Sequence, residues 1–112
     1  MKPIFIISPS FTKLVSFVVE VYAICLFPFI ISKYPMGPTT RNHEMIHFQQ
    51  QKELLVIFFY ILYCFYYIKG YIIYRDKEEA YHSIPFEKEA YSNQGRLSYL
   101  ETRNMFSWLD YR

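Results

Sequence analysis

Asn42-His43-Glu44-Met45-Ile46-His47-Phe48-Gln49-Gln50-Gln51-Lys52-Glu53-Leu54-Leu55 is the stretch on which the reading of this chain turns. It contains H-E-x-x-H at residues 43–47. On a helix, positions four apart lie one turn apart on one face. Two imidazoles placed so can reach one tetrahedral metal such as zinc. Glu44 projects beside that face, where it can take a proton from a water at the metal. A chain this long shows the pattern by chance roughly once in several hundred sequences, so context decides. Only three histidines are present, and two are in the motif. The preceding Lys33–Thr40 run holds two prolines and a glycine and reads as a loop. Thr39, Thr40 or Asn42 is then available as a helix cap. The helix is predicted from Arg41 to Lys69, stopping at Gly70, with a break near Glu53–Leu54. The motif sits near its start, where a ligand can approach. In such apolar flanks, stray polar side chains are costly without a partner. The bland alternative is an exposed polar turn, or core histidines bonded to carbonyls.

A zinc site with an open fourth position needs a third protein ligand. His82, Glu78, Glu79, Glu87 and Glu89 are the candidates. Pro85 is a favoured first helical position, so a second helix is predicted from Pro85 to Gln94, stopped by Gly95. Within it Glu87 and Glu89 point roughly 200° apart. Glu87 shares a face with Ile84, Ala90, Tyr91 and Leu97 and is expected to point inward. Glu89 shares a face with Ser92 and Asn93 and is expected to point outward. Ala90 would let the two helices approach closely. The third ligand is therefore read as Glu87.

Further out, the 112 residues suffice for one domain, 1–112, with a modest core. Hydrophobic residues make up 53% and aromatics 21%, which excludes intrinsic disorder. A net charge of +2 without a basic cluster excludes a nucleic-acid footprint. Residues 1–74 carry six basic and three acidic side chains, and 75–112 carry six and seven. The chain is thus apolar over 14–74 and polar over 75–112. Leu14–Ser32 contains Glu20 and Pro28, and Leu54–Ile68 is only 15 residues long, so neither is a clean membrane span. Tyr60, Tyr63, Tyr66, Tyr67, Tyr71 and Tyr74 nevertheless suit a membrane–water interface. A membrane-associated protein is expected, with a buried helix in a homo-oligomer as the other reading. Lys2 and Lys13 before Leu14–Ile31 make a poor signal peptide, because no small-x-small cleavage site follows. Cys25 and Cys64 read as small core hydrophobes.

Residues 1–13 read as irregular. Val21–Ile31 reads as strand-like, after a short helix near 11–19. Residues 75–83 read as a polar connection, and 97–105 as a last short helix. The expected fold is mainly α with a small β element (α+β): a long helix bearing the motif, packed on a second helix bearing the third ligand.

His43–His47 followed by Pro85-Phe86-Glu87-Lys88-Glu89-Ala90-Tyr91 resembles the gluzincin class of zinc metallopeptidases. That class carries H-E-x-x-H on one helix and a ligand Glu on a later one. The Asn42–Leu55 segment also resembles a group of small uncharacterised bacterial proteins, over about residues 21–111. The resemblance implies His43, His47 and Glu87 as zinc ligands and Glu44 as general base. It also implies a peptide or protein substrate and a place at the bacterial inner membrane, with the cytoplasm as the alternative. Many gluzincins have Asp four residues after the ligand Glu; this chain has Tyr91 there. Around the site, Gln50 and Gln51 are placed to bond Glu87 or a substrate backbone. Glu20 is a candidate to accept the other ring N–H of a ligand histidine, and Tyr91 or His82 to stabilise an oxyanion. By resemblance, Val21–Ile31 would be an edge strand that holds an extended peptide. The competing function is a non-catalytic membrane-associated protein with a structural metal site or no metal.

Overall fold

The computed structural model describes residues 2–15 and 23–112. Among them three strands and six α-helices follow one another: β1 (Ile4–Ile7), α1 (Pro9–Val15), β2 (Ala23–Leu26), β3 (Phe29–Ser32), α2 (Pro38–Glu53), α3 (Ile57–Tyr74), α4 (Lys77–Ser83), α5 (Pro85–Asn93) and α6 (Tyr99–Thr102). A 3-10 helix at Ser107–Tyr111 ends the chain. The architecture is mainly α with a small β element.

The strand-like segment is a hairpin. β2 pairs antiparallel with β3, Ala23 opposite Ser32, and β1 lies parallel to β3, Ile4 opposite Phe29. Ile4–Ile7 and Pro9–Val15 are therefore regular structure where residues 1–13 were expected to be irregular, because Ile4–Ile7 find a partner distant in sequence. Val21 and Tyr22, like Glu20, lie outside the described residues. Cys25 and Ile30 of the hairpin pack on Phe48 of α2. Gln51 reinforces that contact by donating to the Cys25 carbonyl at 2.7 Å and accepting from the Phe27 N–H at 3.1 Å.

The long helix does break where expected, and the break is strained. Leu55 and Val56 both have positive φ, 54° and 66°. The Ile57 N–H donates back to the Leu55 carbonyl at 2.7 Å, closing a tight γ-turn around Val56. β-branched residues avoid this conformation, which costs on the order of 1–3 kcal/mol. The elbow sends α3 back across α5, where Phe59, Ile84, Phe86 and Trp108 form the largest apolar core.

Several helix limits differ from the sequence reading. α2 starts at Pro38 behind Gly37, with no side-chain cap. Asn42 instead donates to the carbonyls of Asn93, Gln94 and Arg96, closing the C-terminal end of α5. Gly70 does not stop α3. It lies within the helix and lets Ala80 and Ser83 of α4 approach. Residues 77–83, expected to be a connection, form α4, capped by Asp76 accepting from the Glu79 N–H at 2.9 Å. Cys64 is exposed rather than a core residue, whereas Cys25 is buried as expected.

Candidate metal centre

α2 presents His43 and His47 one turn apart, and α5 crosses them with Glu87. His43 Nε2 lies 3.1 Å from Glu87 Oε1, His47 Nε2 lies 3.0 Å from the same oxygen, and the two nitrogens are 3.1 Å apart. These three atoms form a nearly equilateral triangle. A tetrahedral zinc with bonds of about 2.0–2.1 Å separates its ligand atoms by about 3.3 Å. The triangle fits that ion with a small outward adjustment. His43, Glu44 and His47 also form a group whose ligand atoms lie within 4.8 Å of one another and could hold a metal. Glu44 is the looser member: its Oε2 is 3.8 Å from His43 Nε2. The Glu87 carboxylate lies closer to the imidazole nitrogens than Glu44 does.

The outer partners orient the imidazoles. His43 Nδ1 is 2.8 Å from Gln94 Oε1, and His47 Nδ1 is 2.8 Å from Gln50 Oε1. With Nδ1–H donated to an amide oxygen, Nε2 of each ring is left to face Glu87, the position from which a ring nitrogen could bind a metal. Tyr63 donates to Glu87 Oε2 at 2.6 Å and Tyr81 to Oε1 at 3.1 Å. Tyr91 sets its ring edge-on to His43, centroids 4.4 Å apart, and shares a hydrogen bond with the Tyr81 hydroxyl.

Burial sets the electrostatics. His43, Glu44, His47 and Glu87 are all 4–5% exposed. Desolvation alone would pull the His47 imidazolium down, but the Glu87 carboxylate overrides it and holds the group at about 9 without metal. Burial likewise pushes Glu87 up, yet the two histidines outweigh it and keep the carboxyl well below its usual range. Glu44 goes the other way. Burial raises it, and the histidines only partly offset this.

Glu89 corrects the helical-face argument. It is fully buried, not outward-facing. Both faces of α5 are covered: α2 packs on one, and the C-terminal segment brings Tyr99 and Arg103 over the other. Gln50 links the two faces, donating to Glu89 Oε1 at 3.0 Å and to the Phe86 carbonyl at 3.1 Å. It bonds Glu89, therefore, and not Glu87 as was expected. His82 is exposed, pairs with Glu78 on α4, and lies against the outer side of the Tyr91 ring. Glu78 and Glu79 are exposed on the same helix. Gln51 is engaged with the hairpin backbone at Cys25 and Phe27 and does not reach Glu87. Tyr60 and Tyr63, read as interfacial, turn inward to Gln51 and Glu87. Tyr63, Tyr81 and Gln94 were not singled out as site residues. For Tyr63 the signal was present, four residues after the buried Phe59 on one helical face.

No protein-family model, no curated protein and no solved structure matches this chain.

Proposed function

We propose that the chain is a minimal gluzincin-like zinc metallopeptidase that hydrolyses a peptide bond. The observation that carries the reading is the triangle of His43 Nε2, His47 Nε2 and Glu87 Oε1 with sides of 3.0–3.1 Å, with the Glu44 carboxylate beside it. His43, His47 and Glu87 would hold zinc. When bound, the ion supplies Lewis acidity, which polarises a carbonyl and makes water a usable nucleophile near neutral pH. Glu44 takes the proton of the attacking water and returns it to the leaving amine. Its burial raises its proton affinity, which suits a group that must both accept and return a proton. Gln50 and Gln94 hold the imidazole rings, and Tyr63 and Tyr81 hold Glu87.

The burial of all four residues supports a second reading, in which the metal only clips α2 to α5 and no substrate enters. Glu44→Gln separates the two. The peptidase reading expects this variant to keep about one zinc per chain, as wild type does, and to lose hydrolysis of a peptide library by at least about 100-fold. Retained turnover removes Glu44 from the mechanism. Zinc in both proteins with no turnover in either supports the clip.

A further inference from the structure

One face of α3 packs on the rest of the protein. The Phe59 ring meets Phe86 with centroids 4.6 Å apart, Tyr66 meets Trp108, and Gly70 lies on α4. The opposite face has no cover among the described residues. Phe58, Ile61, Phe65, Ile68, Ile72 and Ile73 are each at least 56% exposed. By the helical period they fall within about 140° of the helix surface. Lys69 interrupts this arc. A cleft of about 390 Å3 opens where Lys69 and Ile73 leave it. Lys69, Lys88 and Arg112 line the cleft, and no acidic side chain does.

α3 is the one described helix long and apolar enough to cross a membrane. Its packing argues against crossing. α4, with Lys77, Glu78 and Glu79 exposed, and α5, with Lys88 exposed, lie along the covered face and would be drawn into hydrocarbon with it. A helix with one apolar face free and the other attached to a polar body lies in the plane of the interface. The Lys69 stem can rest on acyl chains while its ammonium reaches a phosphate. In the core of a protein–protein interface the same lysine would be out of place.

We infer that α3 docks flat on an anionic lipid bilayer, with the Phe58–Ile73 face among the acyl chains and lipid phosphates at the Lys69–Lys88–Arg112 cleft. This does not depend on the metal reading. Cys64 flanks this arc and is exposed, while Cys25 is buried, so a polarity-sensitive fluorophore can be placed on Cys64 alone. Phosphatidylcholine vesicles with and without phosphatidylglycerol are the probes. Expected are a blue shift and co-sedimentation with the anionic vesicles. Lys69→Gln and Lys88→Gln should each weaken partitioning about 5-fold, and Phe65→Ser with Ile68→Ser should abolish it. A membrane-impermeant amine reagent should label both Lys52 and Lys77, which flank α3, from outside the vesicle. Several results would overturn the inference. Among these are a label that stays in water with both vesicles, and equal binding to neutral and anionic vesicles. A lipid-free dimer that already shields Cys64 would assign the face to a second copy. Labelling of Lys52 or Lys77 alone would show that α3 spans.

Discussion

The Gln50 amide donates to the Glu89 carboxylate across 3.0 Å, and this bond sets which end of the amide faces His47. The second Gln50 acceptor is the Phe86 carbonyl, so both N–H groups point away from the histidine. The amide oxygen is left 2.8 Å from His47 Nδ1, which must donate. His47 then offers Nε2 toward Glu87. Gln50→Leu removes that orientation and should weaken zinc binding about 10- to 100-fold. Competition against a chromophoric chelator checks it, and wild-type affinity in a folded variant would reduce Gln50 to a packing residue.

Arg103 holds the far end of this network. Its guanidinium bonds both Glu89 oxygens and both Glu53 oxygens, and all three side chains are nearly inaccessible. Arg103→Met leaves two buried carboxylates without a cation and should cost about 3–5 kcal/mol in urea unfolding. Burial would raise the Glu89 carboxyl, but Arg103, Tyr99 and Gln50 together hold it below its ordinary 4.5. A lowered folded value gives stability that is present above 4.5 and lost as pH falls through it. Wild-type stability should therefore fall as pH drops below 4.5, whereas the deficit of Arg103→Met should shrink there, because its uncompensated buried carboxylates take up protons.

The ease with which α2 and Glu87 could be read, and the difficulty of Glu89, have one cause. A five-residue motif and a proline-started helix are local signals, and they single out His43, His47, Glu44 and Glu87, whose side chains meet across α2 and α5. The wheel for Glu87 assumed a helix with one wet face. Residues 99–103 cover that face from a position the local sequence does not encode, and a lone arginine carries no sign of its partners. The strand Ile4–Ile7 was missed for the same reason, since its ladder partner Phe29–Ser32 is over twenty residues away. Among the tyrosines of α3, Tyr60 and Tyr63 turn inward, because a hydroxyl suits a buried acceptor as well as a membrane interface, while Tyr71 and Tyr74 stay exposed.

Without metal, protons hold the centre together. Burial opposes a charged His47, but Glu87 at 3.0 Å raises it from 6.5 to about 9. A folded value above the unfolded one gives stability that is complete below pH 6.5 and lost as pH rises through about 9. Glu44, raised by burial, acts in the same direction. The melting temperature of chelator-treated protein should fall between pH 6.5 and 9. Zinc competes with the His47 proton, so the loss of melting temperature on chelation should be larger at pH 9 than at pH 6.5. Scanning calorimetry with and without chelator at the two pH values checks both, and melting curves unchanged by complete metal removal would contradict the metal centre.

Gly70→Ala tests the packing that carries Tyr81 to Glu87. Alanine favours a helix interior over glycine by about 0.8–1.0 kcal/mol, so on local grounds the substitution should stabilise α3. Here a Cβ would overlap Ser83 Oγ and come within 3.1 Å of the Ala80 Cα and 3.2 Å of its carbonyl oxygen. Ser83 is not free to swing aside without loss, because its hydroxyl donates to the Ala80 carbonyl at 2.7 Å. Two of the three neighbours are backbone, so relief requires α4 to move off α3. Overpacking of this kind costs about 1–3 kcal/mol and should outweigh the helical gain. The expected outcome is a net loss of up to about 2 kcal/mol in urea unfolding, together with weaker zinc binding as α4 carries Tyr81 away from Glu87. A more stable Gly70→Ala protein would mean that the α3–α4 contact yields easily and that Tyr81 is not held by it.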